Sequence, residues 1–146
     1  MATEIKRLKI NLELLGGALA DYDPNHLHFL HLASGKIVSA LEGFIESDAD
    51  AEILDRIEED SESYEQVPRA TFGVDYGDMT AFVKSVRSKA QADALLEALR
   101  GEDPHGDFVA ALKGSPAVAK RWVTFRATRR RDRALEWLNK IGVEPV

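Results

Sequence analysis

Apolar residues recur along the chain with two different periods, and the change of period divides it into two stretches. Leu12, Leu14, Leu15, Ala18 and Leu19 mark a short helix with Asn11 as its N-cap, although Gly16 and Gly17 together cost it about 2 kcal/mol relative to alanines. Tertiary contacts must therefore hold that helix. The turn formers Asp21-Tyr22-Asp23-Pro24-Asn25 close it. His26 to Leu32 then reads as a strand, Ser34-Gly35 as a hairpin turn with positive φ at the glycine, and Ile37 to Leu41 as the antiparallel return. Acids dominate Glu46 to Glu65, where Ile53, Leu54 and Ile57 supply one narrow apolar stripe and predict a short helix. Tyr64 to Pro68 is a third strand candidate, which Pro68 restricts to a sheet edge.

Beyond this point the period becomes helical. Gly73 and Gly77 are read as a loop, after which Met79, Phe82, Val83 and Val86 fall at i, i+3, i+4, i+7. Ala92, Leu95, Leu96 and Leu99 repeat that spacing behind a Ser88-x-x-Gln91 capping box and stop at Gly101. Phe108, Ala111 and Leu112 predict a shorter helix ending at Gly114. Ser115-Pro116 pairs an N-cap with an N1 proline and opens the longest helix, to about Lys140, with Gly142 beyond its end. The expected fold class is α+β: a small antiparallel sheet of two to three strands near the N-terminus packed with four to six helices, and a helical C-terminal half. Residues 1–146 are read as a single domain, with a helix-hairpin-acidic part over about 1–70 and a helical part over about 71–146.

Composition narrows the function classes. The 146 residues contain no cysteine, which excludes a disulfide framework, a thiolate zinc site and a thiol nucleophile. The segment Leu8 to Ala20 is too short and too interrupted for a signal core or a membrane span, so a cytoplasmic protein without a membrane partner is expected. The net charge of −6 argues against a surface that coats nucleic acid or membrane as a whole. Its distribution is lopsided: residues 1–66 carry five Lys/Arg and 15 Asp/Glu, and residues 67–146 carry 14 and ten. Either the acidic stretch docks on the basic one, or the basic one meets an outside anion.

The carboxy-terminal run Arg121-Trp122-Val123-Thr124-Phe125-Arg126, a charged stretch, and then Arg133-Ala134-Leu135-Glu136-Trp137-Leu138 resembles the signature of the UPF0158 family of small uncharacterised bacterial proteins. The hairpin Leu32-Ala33-Ser34-Gly35-Lys36-Ile37-Val38, the acidic stretch, the Tyr-to-Pro segment and Gly106-Asp107-Phe108 agree with it in order and spacing. This chain departs from the pattern where Val109 to Leu112 are apolar, and where His26, His28 and His31 stand in place of tyrosine and acidic residues. The resemblance implies a bacterial protein and a fold; it implies no reaction.

At about 100° per residue, Arg126, Arg129, Arg130 and Arg133 form one stripe of the last helix, with Trp122 and Trp137 at its ends and Phe125 on its flank. Guanidinium forks match carboxylate and phosphate oxygens and stack on bases or indoles. Trp122, Phe125, Arg126, Arg129, Arg130 and Arg133 are thus the candidate partner-binding residues. The leading expectation is a non-enzymatic binding or regulatory protein that engages an acidic protein partner. The alternative is a nucleic-acid binder using the same stripe with an exposed tryptophan. A solvated face whose arginines pair with the Asp48 to Glu62 acids, with both tryptophans in the core, competes with both. His26 and His28 are weak metal candidates, about 7 Å apart on one face of a strand, lacking a visible carboxylate ligand. His31 falls on the other face, and His105 is read as a loop residue. Asp48-x-Asp50-x-Glu52 echoes a calcium loop but has Ile53 where the turn needs glycine. Nucleophile-elbow, zincin, Walker and dinucleotide motifs are absent, so no catalytic residue and no cofactor is expected, and an enzyme is the last alternative.

Overall fold

The computed structural model describes residues 5–43 and 45–146; residues 1–4, which open the expected single domain, and Phe44 lie outside the described residues. The described residues group into two compact units, one of those within 5–70 with 130–146, and one of 71–129. The elements are β1 (Lys6–Leu8), α1 (Leu12–Ala20), β2 (His26–His31), β3 (Ile37–Leu41), α2 (Asp48–Glu59), a 3-10 turn (Ser61–Ser63), β4 (Tyr64–Gln66), α3 (Phe72–Val83), α4 (Lys89–Leu99), α5 (Pro104–Leu112), α6 (Pro116–Lys140) and β5 (Val143–Pro145). The expected α+β class is the observed one.

In the first unit, β2 is the middle strand of an antiparallel sheet in the order β3-β2-β4, with Phe29 opposite Val38 on one side and Gln66 on the other. Gly35 turns the hairpin with φ 79°, and a Cβ there would strike the Lys9 carbonyl. Both facts select glycine. β4 lies at the sheet edge, as Pro68 requires. β1 and β5 form a separate parallel pair, with Lys6 opposite Val143 and Leu8 opposite Pro145, which the apolar pattern does not signal because each strand has three residues. Ile10, Leu15, Ala18, Leu30, Val67, Ala134, Leu138 and Val143 make the core of this unit. Each fully buried leucine contributes roughly 1.5–3 kcal/mol of apolar transfer.

The diglycine of α1 acquires a reason here. An added Cβ at Gly16 would lie 3.0 Å from both the Cβ and the carbonyl oxygen of Arg130, so the helix backbones meet closely at that point. At Gly17 nothing lies within 4 Å.

The second unit consists of α3, α4, α5 and the portion of α6 up to Arg129. Its core joins Met79, Phe82, Val83, Leu95, Leu99, Phe108, Leu112, Val118 and Trp122. Two expectations are corrected. Gly73 and Gly77 lie inside α3 and not in a loop, because Phe72 packs against the same core as Met79 and Val83 at helical spacing. His105 belongs to the first turn of α5, since Asp103 caps that helix by accepting from the Gly106 amide at 3.2 Å and Pro104 occupies N1. The Ser88 hydroxyl accepts from the Gln91 amide at 3.3 Å, and α6 runs without a break through Ala127 to Arg130.

Two substitutions separate propensity from packing in α1. Gly17→Ala is expected to stabilise the protein by about 1 kcal/mol. Gly16→Ala gains the same propensity but is expected to destabilise by about 1–2 kcal/mol, because the methyl presses on backbone. Urea denaturation of both variants checks the opposite signs.

Candidate functional site

The stripe of α6 differs from the arrangement its sequence suggests. Trp122 is 6% exposed and sits against Phe108, edge-on at 5.1 Å, and Phe82 at 5.4 Å. Phe125 packs against the same core, 5.3 Å from the Phe82 ring. Trp122 and Phe125, both expected among the partner-binding residues, thus lie in and against the core of the second unit, Trp122 buried and Phe125 partly buried. Trp137 likewise packs against the core of the first unit.

The guanidinium groups lie over these rings. Arg121 stands 5.9 Å from the Phe82 centroid, Arg126 5.9 Å from Trp122, and Arg129 5.9 Å from Phe125. Arg121 also donates from Nη2 to the Ser85 carbonyl at 3.1 Å, just beyond the end of α3. Arg129 donates from Nε to Asp78 Oδ1 at 3.0 Å. Asp78 is 1% exposed and the Arg129 side chain 45%. The counter-ion of Arg129 is thus a buried carboxylate of α3 within the same unit. Arg126, Arg130 and Arg133 are engaged as well.

A second constellation lies in the first unit. Asp21 ends α1, where its amide donates to the Ala18 carbonyl. Its Oδ1 accepts from the Asp23 amide at 3.0 Å and so shapes the turn. Its Oδ2 contacts His26 Nδ1 at 2.6 Å and His28 Nε2 at 2.8 Å. The strand alternation aligns the two imidazoles, whose centroids are 4.2 Å apart. The other nitrogen of His28, Nδ1, lies 2.6 Å from Ser39 Oγ, which the hairpin register places opposite it. His31 turns elsewhere, to Ser34 Oγ at 2.7 Å and the Tyr64 ring at 4.9 Å.

Burial pushes the Asp21 carboxyl up, but hydrogen bonds from His28 and the Asp23 amide, with the charges of His26 and His28, more than offset it and hold it below its ordinary value. An ionised carboxylate only accepts, so both facing imidazole nitrogens carry the shared protons. Among the described residues, Asp21, His26 and His28 are the group of three whose ligand-type atoms all lie within 4.8 Å of one another. The sequence reading found both histidines and missed the carboxylate. The spacing Asp21-x4-His26-x-His28 was the available signal, hidden because Asp21 reads as a turn residue.

The calcium echo has a local explanation. Asp50 accepts from the Ser47 amide at 3.0 Å while Ser47 Oγ accepts from the Asp50 amide at 3.1 Å, a reciprocal cap on α2. The Ser47 amide, the Ser47 hydroxyl donating to Asp50 Oδ2 at 2.7 Å, and the Leu41 amide together hold the Asp50 carboxyl below its ordinary value. An open depression of about 430 Å³ in the first unit is lined by Asn11, Glu13, Leu14, Gly17, Ala18, His28 and Arg130.

The Asp78–Arg129 pair sets a stability expectation. Arg129→Ala leaves the Asp78 carboxylate buried with that donor gone, and should destabilise by on the order of 3 kcal/mol. Lys120→Ala on the exposed side of the same helix should change stability by less than about 0.5 kcal/mol. Guanidinium denaturation of the two variants measures the contrast.

No curated protein and no solved structure matches the chain. None of the described helices is long and apolar enough to cross a membrane. Residues 5–146 match the family described as "Uncharacterised protein family (UPF0158)". The carboxy-terminal motif whose rings and guanidinium groups have just been placed falls inside that match, and the chain belongs to the UPF0158 family.

Proposed function

We propose that this chain is a non-enzymatic binding or regulatory protein, and that the guanidinium row on the second unit's part of α6 engages an acidic protein partner. The observation that supports it is the position of the Arg121, Arg126 and Arg129 guanidinium carbons, each 5.9 Å from the centroid of a ring of that unit's core, Phe82, Trp122 and Phe125 in turn. A guanidinium held over a ring loses less conformational freedom when it meets a carboxylate than one on a free stem. Arg129 uses its Nε toward Asp78 and Arg121 one Nη2 hydrogen toward Ser85, out of five N–H donors on each group. Arg130 and Arg133, on the part of α6 that belongs to the first unit, are kept as separate candidates within that unit. The acidic protein is preferred to nucleic acid because Trp122, the ring that would stack on a base, is buried.

Fluorescence anisotropy with labelled polyglutamate, and with single- and double-stranded oligonucleotides, tests the reading at about 150 mM salt. The protein should bind polyglutamate, and Arg121→Gln/Arg126→Gln should weaken it about tenfold or more while keeping the Asp78–Arg129 pair and the unfolding transition. Tighter binding to either oligonucleotide favours the nucleic-acid reading. Equal polyglutamate affinity of parent and variant refutes the use of this face.

A further inference from the structure

We propose that Asp21, His26 and His28 form a binding site for a divalent transition-metal ion of the zinc type. This inference concerns the first unit alone and does not rest on the reading of α6.

The donor set is two imidazole nitrogens and one carboxylate oxygen, all within 4.8 Å of one another. That mixture suits borderline ions such as Zn²⁺ or Co²⁺. Mg²⁺ and Ca²⁺ instead require shells made of oxygen. The atoms already converge: the two nitrogens stand 2.6 and 2.8 Å from the same carboxylate oxygen. An ion bound at about 2.0–2.2 Å from each ligand would take the place of the two protons those contacts share, with small adjustments of side-chain torsion.

Tautomers allow the exchange. To offer a lone pair at Nε2, His28 must carry its proton on Nδ1, and Ser39 Oγ waits there at 2.6 Å as an acceptor. A hydroxyl can donate or accept, so Ser39 serves the metal-free and the metal-bound ring equally. This is the outer hydrogen bond that orients most metal-ligating histidines. His26, with its side chain 35% exposed, can move its proton to Nε2 toward water.

The ligands also come from rigid elements. His26 and His28 are paired along β2, and Asp21 is fixed by its own cap and turn bonds. A site built this way is largely formed before the ion arrives, and three protein ligands leave a position for water or an outside ligand.

Co²⁺ titration followed by visible absorption, with isothermal titration of Zn²⁺, tests the assignment on the full chain. One ion per chain should bind, with the intensified d–d bands of a low-coordinate Co²⁺ centre, and Zn²⁺ should raise the thermal midpoint. Asp21→Asn and His26→Asn should each abolish the bands and the midpoint rise. Ser39→Ala should weaken Zn²⁺ binding about tenfold to a hundredfold and keep one ion per chain. His26 is half-exposed, so His26→Asn decides the matter even if Asp21→Asn fails to fold. No bound ion in the parent, or unchanged binding in His26→Asn, overturns the proposal and leaves a purely hydrogen-bonded cluster.

Discussion

One carboxylate oxygen, Asp21 Oδ2, receives two imidazole nitrogens, and that convergence joins the end of α1 to the middle strand of the first unit's sheet. Asp21 stands where the helix stops, uses its amide for the last helical carbonyl, and uses Oδ1 to set the turn that leads into β2. The register of the β2–β3 hairpin then brings Ser39 to the far side of His28. Helix end, turn, strand alternation and hairpin pairing thus meet at a single side chain. The chemistry assigned to the first unit follows from that meeting, because a carboxylate oxygen this close to two imidazole nitrogens shares protons with them.

The second unit solves a different problem. Its core is aromatic, and the rings of Phe82, Trp122 and Phe125 are each overlaid by a guanidinium group. Arg129 also meets a carboxylate that is almost wholly removed from water. A buried charge persists only when it is paired and hydrogen-bonded, so Asp78 ties α3 to α6 within this unit. The same arginines that suggest a partner surface therefore have internal tasks. Their capacity to bind an outside anion rests on remaining donors of a fixed fork, and not on free charges.

Much of the fold was legible because period, caps and turn chemistry agree. Asn11, Ser88 and Pro116 open the helices they signal, Gly35 turns the hairpin, and Ile37 to Leu41 spans the strand expected of it. What escaped was set by tertiary contact. The β1–β5 pair joins the two ends of the described chain through three-residue strands that carry no period of their own. Gly73 and Gly77 look like breakers, yet the apolar stripe of α3 prevails over their propensity. In the site, the histidine pair followed from strand alternation, whereas Asp21 needed the three-dimensional path of a turn. The burial of Trp122 was one of two readings the sequence left open, because a helical wheel gives direction around one cylinder and not the neighbours that cover it.

The central claim is that Asp21 holds protons shared with His26 and His28 that an ion can replace. Long-range ¹H–¹⁵N correlation of the histidine side chains, recorded before and after adding Zn²⁺, tests it most directly. The metal-free protein should show His26 protonated at Nδ1 and His28 at Nε2, and Zn²⁺ should transfer both rings to the opposite tautomer while His31 and His105 stay unchanged. Resonances of His26 and His28 that do not move with Zn²⁺, or opposite tautomers in the metal-free state, would contradict the account.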